Sequence, residues 1–131
     1  MVRKLSDLYL NARKKLLLKE DPDTANFVAR NLVAHFCNMT QEQLLANKDA
    51  SVDESVCAKV DYGVFRYQQG EPLAYILGQW DFYGMKLVVN DKVLIPRDDT
   101  CAVTELAIHK ALFLGKNPRI LDLCTGSGCI G

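Results

Sequence analysis

The sequence predicts an α+β chain: a small helical bundle, then a β-hairpin linker, then the first helix and strand of an α/β layer. Three observations carry this. Apolar residues recur at helical spacing through residues 1–70. From Gly70 onward, glycines and an Asn-Asp pair punctuate short aromatic and β-branched runs. Residues 98–131 then read as a helix, a turn, the apolar run Arg119–Leu123 and a loop with glycines at 126, 128 and 131. That is the order in which an α/β layer opens.

Taken in order, Ser6 or a neighbour opens a first helix to about Leu18, and Asp21-Pro22-Asp23 breaks it. Asp23 can cap a second helix with the apolar face Phe27, Val28, Leu32, Val33 and Phe36. Thr40–Gln43 has the capping-box pattern for a short third helix, and Ser51–Glu54 repeats it for a fourth. The fourth helix carries Val56, Val60, Val64 and Phe65 on one side and ends near Gly70. Strands are expected at Gln79–Phe82 and Lys86–Val89, and Pro96 ends the extended stretch because it lacks a backbone donor. Asp98 and Asp99 suit the positive end of a helix running to about Phe113, which Gly115 closes. Asn117-Pro118 turns into the strand Arg119–Leu123. Its apolar residues, with Leu106, Ile108 and Leu112, need neighbours that one helix and one strand do not supply. The expected divisions are 1–70, 71–97 and 98–131.

The 131 residues leave room for one domain and part of another. With 49% hydrophobic and 24% charged residues, the composition is that of a packed globular chain. A net charge of zero gives no global argument for nucleic acid or an anionic membrane. The first twenty residues hold six Lys/Arg against two acids, interleaved with Leu5, Leu8, Ala12 and Leu16, which reads as a solvated helix face. Arg13, Lys14 and Lys15 interrupt what a secretory signal would keep apolar, and no run is long enough to span a membrane. Five cysteines, an odd number with no C-x-x-C pair, read as reduced residues of a cytoplasmic protein. No metal site is expected, because neither His35 nor His109 has an acid or cysteine at useful spacing.

Gly126 to Gly131 matches G-x-G-x-x-G, the dinucleotide pattern in which a pyrophosphate rests on a helix N-terminus. Asp122, four residues before Gly126, would face those phosphates with a like charge. S-adenosylmethionine reverses the sign, since it carries an ammonium and a sulfonium, while the glycines still let a ligand approach the backbone. A methyl donor, a dinucleotide and a bare strand-to-helix turn are the three readings of this loop.

Read together, "EPLAYILGQWDFYGMKLVVNDKVLIPR" and "ILDLCTGSGCIG" resemble the HemK/PrmC family of protein glutamine methyltransferases. The resemblance implies a helical substrate-recognition domain over 1–70, a hairpin linker over 71–97, and from 98 the start of a truncated Rossmann-like methyltransferase domain. It implies S-adenosyl-L-methionine as cofactor, held by Asp122, Cys124, Thr125, Gly126, Ser127 and Gly128. The protein partner is then a peptide chain release factor, methylated on the glutamine of its Gly-Gly-Gln motif. The family often has glycine where Cys124 stands, and proline and glutamate where Asp98 and Cys101 stand. Its catalytic Asn-Pro-Pro-Tyr is absent from these residues, so no catalytic residue is assigned here, and the resemblance implies the inactive N-terminal portion of a longer enzyme. Arg97 stands where it would flank the pocket, or pair with Asp98 or Asp99. Trp80, Phe82 and Tyr83 are expected to pack. A stand-alone helical protein-binding module and a fragment of a dinucleotide-binding oxidoreductase are the alternative functions.

Overall fold

Asp21 and Pro22 start the second helix. In the computed structural model, which describes residues 3–131, the Asp21 carboxylate accepts a hydrogen bond of 3.0 Å from the Thr24 amide. The cap is therefore Asp21 and not Asp23. Pro22 takes the first helical position, where its missing N–H costs nothing and its fixed φ fits the helix. Helix α1 spans Leu5–Leu16 and α2 spans Pro22–Cys37. Each presents a narrow apolar stripe: Leu5, Leu8, Ala12 and Leu16 from α1, and Ala25, Val28, Ala29, Leu32 and Val33 from α2. Phe27 falls outside that stripe and is exposed. Between them Tyr9 and Arg13 both donate to the Asn26 side-chain oxygen, which fixes how far α1 can slide along α2.

Helix α3 (Gln41–Ala46) begins with the expected capping box, in which the Thr40 hydroxyl accepts from the Gln43 amide and the Gln43 side chain accepts from the Thr40 amide. The second expected capping box does not form. Ser51 and Val52 instead make a short strand, β2, antiparallel to β1 (Arg3–Lys4), with Arg3 opposite Val52 and Lys4 opposite Ser51. The reason lies at the start of α1, whose cap residue Lys4 offers no side-chain acceptor. The Leu5 and Ser6 amides find theirs in the carbonyls of Ala50 and Lys48, at 2.9 and 3.0 Å. The segment after α3 thus caps α1 with its backbone.

Helix α4 (Glu54–Gln68) buries Cys57, Val60, Gly63 and Val64, while Phe65 points outward. It ends in a two-bond left-handed cap: the Gly70 amide donates to Tyr67 and the Glu71 amide to Arg66. Gly70 holds φ at 95°, which a Cβ would oppose. The Arg66 guanidinium then forks onto the Glu71 carboxylate, tying the helix to the chain that leaves it. A short helix α5 (Leu73–Leu77) buries Leu73, Ala74 and Ile76. The chain divides into two units at this point, the first ending at Leu77.

At the centre of the first unit α2 and α4 meet at Gly63. A Cβ there would lie 3.1 Å from both Leu32 and Phe36 side chains and 3.7 Å from Ile76. Leu8, Leu32, Val60 and Val64 are essentially inaccessible to water. Each such side chain contributes about 1.5–3 kcal/mol by burial.

The second unit runs from Gly78 to Gly131. Strands β3 (Gln79–Phe82) and β4 (Met85–Val88) pair antiparallel, with Phe82 opposite Met85 and Gln79 opposite Val88. Tyr83 and Gly84 turn the chain with φ of 49° and 76°, the two positive values of the tight turn that matches strand twist. Helix α6 (Thr100–Phe113) follows. The expected strand at Arg119–Leu123 does not form. A strand exists only through a ladder with a neighbour, and among the described residues no segment pairs with this one; Ile120, Leu121 and Leu123 are exposed. Leu106, Leu112 and Phe113 of α6 are exposed as well.

Two outcomes follow from this packing. Leu32→Ala should destabilise the first unit by about 2–5 kcal/mol, and Gly63→Val by about 1–3 kcal/mol through overpacking. Combined, they should cost clearly less than the sum, because the valine fills space that the leucine vacates. Urea unfolding of the four proteins checks this, and strict additivity would remove Gly63 as the point of contact. The second outcome concerns acid. The guanidinium hydrogen bond from Arg66 holds the Glu71 carboxyl below its ordinary value, with desolvation opposing it and the opposite charge adding to it. Its contribution is therefore complete above the ordinary glutamate range and disappears as pH falls through the lowered value. Thermal melts between about pH 6 and about pH 2 should show a shallower acid loss in Glu71→Gln than in the parent; identical slopes would mean the pair adds nothing.

Candidate functional site

The glycine loop bends back on the residue that precedes it. Cys124, Gly126 and Gly128 hold φ at 58°, 59° and 79°, so three of five consecutive residues lie in the left-handed region. Glycine tolerates this without strain, and a side chain at 126 or 128 would not. The Gly128 amide donates to the Thr125 carbonyl at 3.0 Å, closing a turn. The Thr125 hydroxyl donates to the Asp122 carboxylate at 2.7 Å. That bond pins the acid against its own loop.

Gly131 completes the enclosure. A Cβ built there would stand 3.0 Å from the same Asp122 oxygen, so the third glycine leaves the space beside the carboxylate free. It was not among the site residues expected from sequence, although the third glycine of the G-x-G-x-x-G pattern is the signal that marks it. Asp122, Ser127 and Gly128 are half-buried, and Cys124, Thr125 and Gly126 are exposed. No ion pair engages Asp122 among the described residues. The loop therefore sets a carboxylate beside bare glycine backbone.

Arg97 stands just before α6. Its carbonyl accepts from the Thr100 amide at 3.1 Å in the turn that starts α6, and its side chain is exposed. It forms no ion pair with Asp98 or Asp99, and no hydrogen bond joins it to the loop, among the described residues. The aromatic residues of the hairpin divide: Phe82 is buried, Trp80 half-buried and Tyr83 exposed at the turn. The five cysteines are free thiols. Among the described residues no three His, Cys, Asp or Glu side chains gather to hold a metal, and no helix is long and apolar enough to cross a membrane.

The sequence of the first unit, read against known families, matches the PrmC N-terminal domain over residues 7–78, more than half of the chain. The release factor glutamine methyltransferase of Haemophilus influenzae is 40% identical over 119 residues, covering 87% of this chain and 41% of that protein. The proteins of the same name from Buchnera aphidicola and Nitratidesulfovibrio vulgaris are 37% and 35% identical, over 91% and 96% of this chain and 42% of each relative. The chain thus spans about two-fifths of the length of the relatives it matches, and each match covers 87% or more of the chain, well beyond the N-terminal domain match. On the domain match and these identities together, the chain belongs to the HemK/PrmC family of release factor glutamine methyltransferases.

Proposed function

We propose that this chain is the N-terminal part of a methyltransferase that acts on the glutamine side-chain amide of the Gly-Gly-Gln motif of peptide chain release factors. Its first unit serves to recognise the protein substrate. Residues 98–131 begin a Rossmann-like cofactor domain, whose parallel sheet supplies the neighbours that Arg119–Leu123 and the apolar residues of α6 lack here. The hairpin links the two, and the protein works in the cytoplasm, where translation terminates and free thiols persist.

The observation that carries the reading is the Asp122 carboxylate held against its glycine loop by Thr125. S-adenosyl-L-methionine, when bound, supplies the methyl group. Asp122 attracts its positive end, Gly126, Gly128 and Gly131 admit it to the backbone, and Cys124, Thr125 and Ser127 shape the turn. Arg97 stands near the start of α6 as a pocket-flanking cation. An amide nitrogen is a weak nucleophile, so the reaction depends on orienting it in line with the methyl donor. The Asn-Pro-Pro-Tyr motif that does so in the family lies outside these residues. This chain contributes cofactor and substrate binding. The dinucleotide alternative places two phosphates beside Asp122, where like charges oppose each other.

In the full-length protein, Asp122→Asn should weaken S-adenosylhomocysteine binding by about tenfold to a hundredfold, the worth of one charged contact of roughly 1.5–3 kcal/mol. Gly128→Val should abolish it, because a branched side chain is forced into the left-handed region where ligand meets backbone. Calorimetry decides between readings. A dinucleotide site would bind more tightly after Asp122→Asn, and a mere turn would respond to neither change. The substrate is checked directly by mass spectrometry of a release factor incubated with the full-length protein, where the expected gain is one methyl group on the Gly-Gly-Gln glutamine.

A further inference from the structure

Between α1, α2 and α3 the first unit forms an open cavity of about 320 Å³, at the small end of the roughly 300–1,000 Å³ range of ligand pockets. Its inner wall is apolar: Leu5 and Val33 are buried and Leu44 half-buried. Its lip is apolar too. Leu10 from α1 and Leu45 from α3 line it while remaining 54% and 68% exposed. Single exposed leucines are ordinary, but two at the mouth of an apolar cavity make a continuous surface that water covers at a cost.

The charge around this mouth is one-sided. Arg30 and Lys48 line the cavity, and none of its ten lining residues is acidic. Four cations of the unit have acidic partners: Arg3 and Lys15 at Asp61, Lys4 at Asp49, Arg66 at Glu71. Arg30 and Lys48 make no ion pair among the described residues. The hydrogen bonds that draw Ser6 to Lys48 and Leu5 to Ala50 fix the loop that carries Lys48, so one edge of the cavity is held by backbone.

We propose that this cavity docks an acidic segment of the release factor, with one apolar side chain entering between Leu10 and Leu45 and flanking carboxylates meeting Arg30 and Lys48. The partner's identity rests on the function proposed above; the chemistry of the segment rests on the cavity. An apolar anchor accounts for the buried wall, and carboxylates account for two cations left unpaired on its rim. A polyanion without apolar groups would satisfy the cations and leave the leucines wet.

The test is binding of the 131-residue chain to the release factor of the same organism, followed by fluorescence anisotropy and by amide shifts of the labelled chain. Arg30, Leu45 and Lys48 are exposed, so their substitution should leave the circular dichroism unchanged. Arg30→Glu and Lys48→Glu should each weaken binding about fivefold or more, and Leu45→Asp at least as much. Lys59→Glu on α4 should change it less than about twofold. Added salt should weaken the parent's binding and affect the Arg30→Glu/Lys48→Glu double variant little. Amide shifts should gather at Leu10, Arg30, Leu45 and Lys48. Undiminished binding by the three variants would overturn the docking site and leave the methyltransferase reading intact, as would failure of this chain to bind a release factor that the full-length protein methylates. Self-association of the chain lost on Leu45→Asp would assign the cavity to a second copy and overturn it too. A release factor neither bound nor methylated would instead refute the function proposed for the protein, and the named partner with it.

Discussion

The close approach of α2 and α4 at Gly63 is the constraint on which the first unit depends. With no Cβ at that position, Leu32 and Phe36 of α2 come within ordinary contact of the α4 backbone, and Ile76 of α5 closes over the same spot. Glycine in a helix interior costs about 1 kcal/mol relative to alanine. The contact it permits buries Leu32 completely, together with Val60 and Val64 beside it. Helix propensity is the smaller quantity, so packing decides. α1 then lies along this pair and is located by Asn26, which accepts from both Tyr9 and Arg13.

The charged residues of the first unit divide by partner. Asp61 of α4 takes Arg3 of β1 and Lys15 of α1 at 3.6 and 3.2 Å, which turns part of the basic N-terminal stretch into contacts with α4. These groups are partly exposed, so screening leaves each pair worth little energetically, and their effect is to orient. Lys15 also lends its backbone carbonyl to Gln68, at the far end of α4. The expectation of a solvated basic face therefore holds for Lys14, which stays exposed, and gives way for Lys15.

In the second unit the backbone decides what forms. The hairpin supplies its own ladder, with the Val89 amide adding a bond to Gly78 beyond the last strand pair. Arg119–Leu123 has the composition of a strand and no ladder to join. The glycine loop after it keeps a defined shape, because a turn is closed by bonds among its own residues: Gly128 to Thr125, and Thr125 to Asp122. The candidate site survives where its supporting strand does not.

The sequence by itself determined what depends on neighbours along the chain. The first four helices, the capping box at Thr40, the glycine that ends α4, the two strands of the hairpin, and the acid and glycines of the loop were legible from spacing and residue type, whereas the short α5 was not. The family was legible too, through runs in which many such local features coincide. Tertiary structure alone decided which apolar residues are core, sending Phe27 and Phe65 outward, and it diverted Ser51 from a helix cap into a strand that caps α1. It decided, too, that Arg30 and Lys48 share a cavity with leucines from α1 and α3. Local signals act within a turn of helix or a pair of residues, whereas a wall, a ladder or a pocket exists only when segments far apart in sequence meet, and their free energy comes from contacts that no single segment contains.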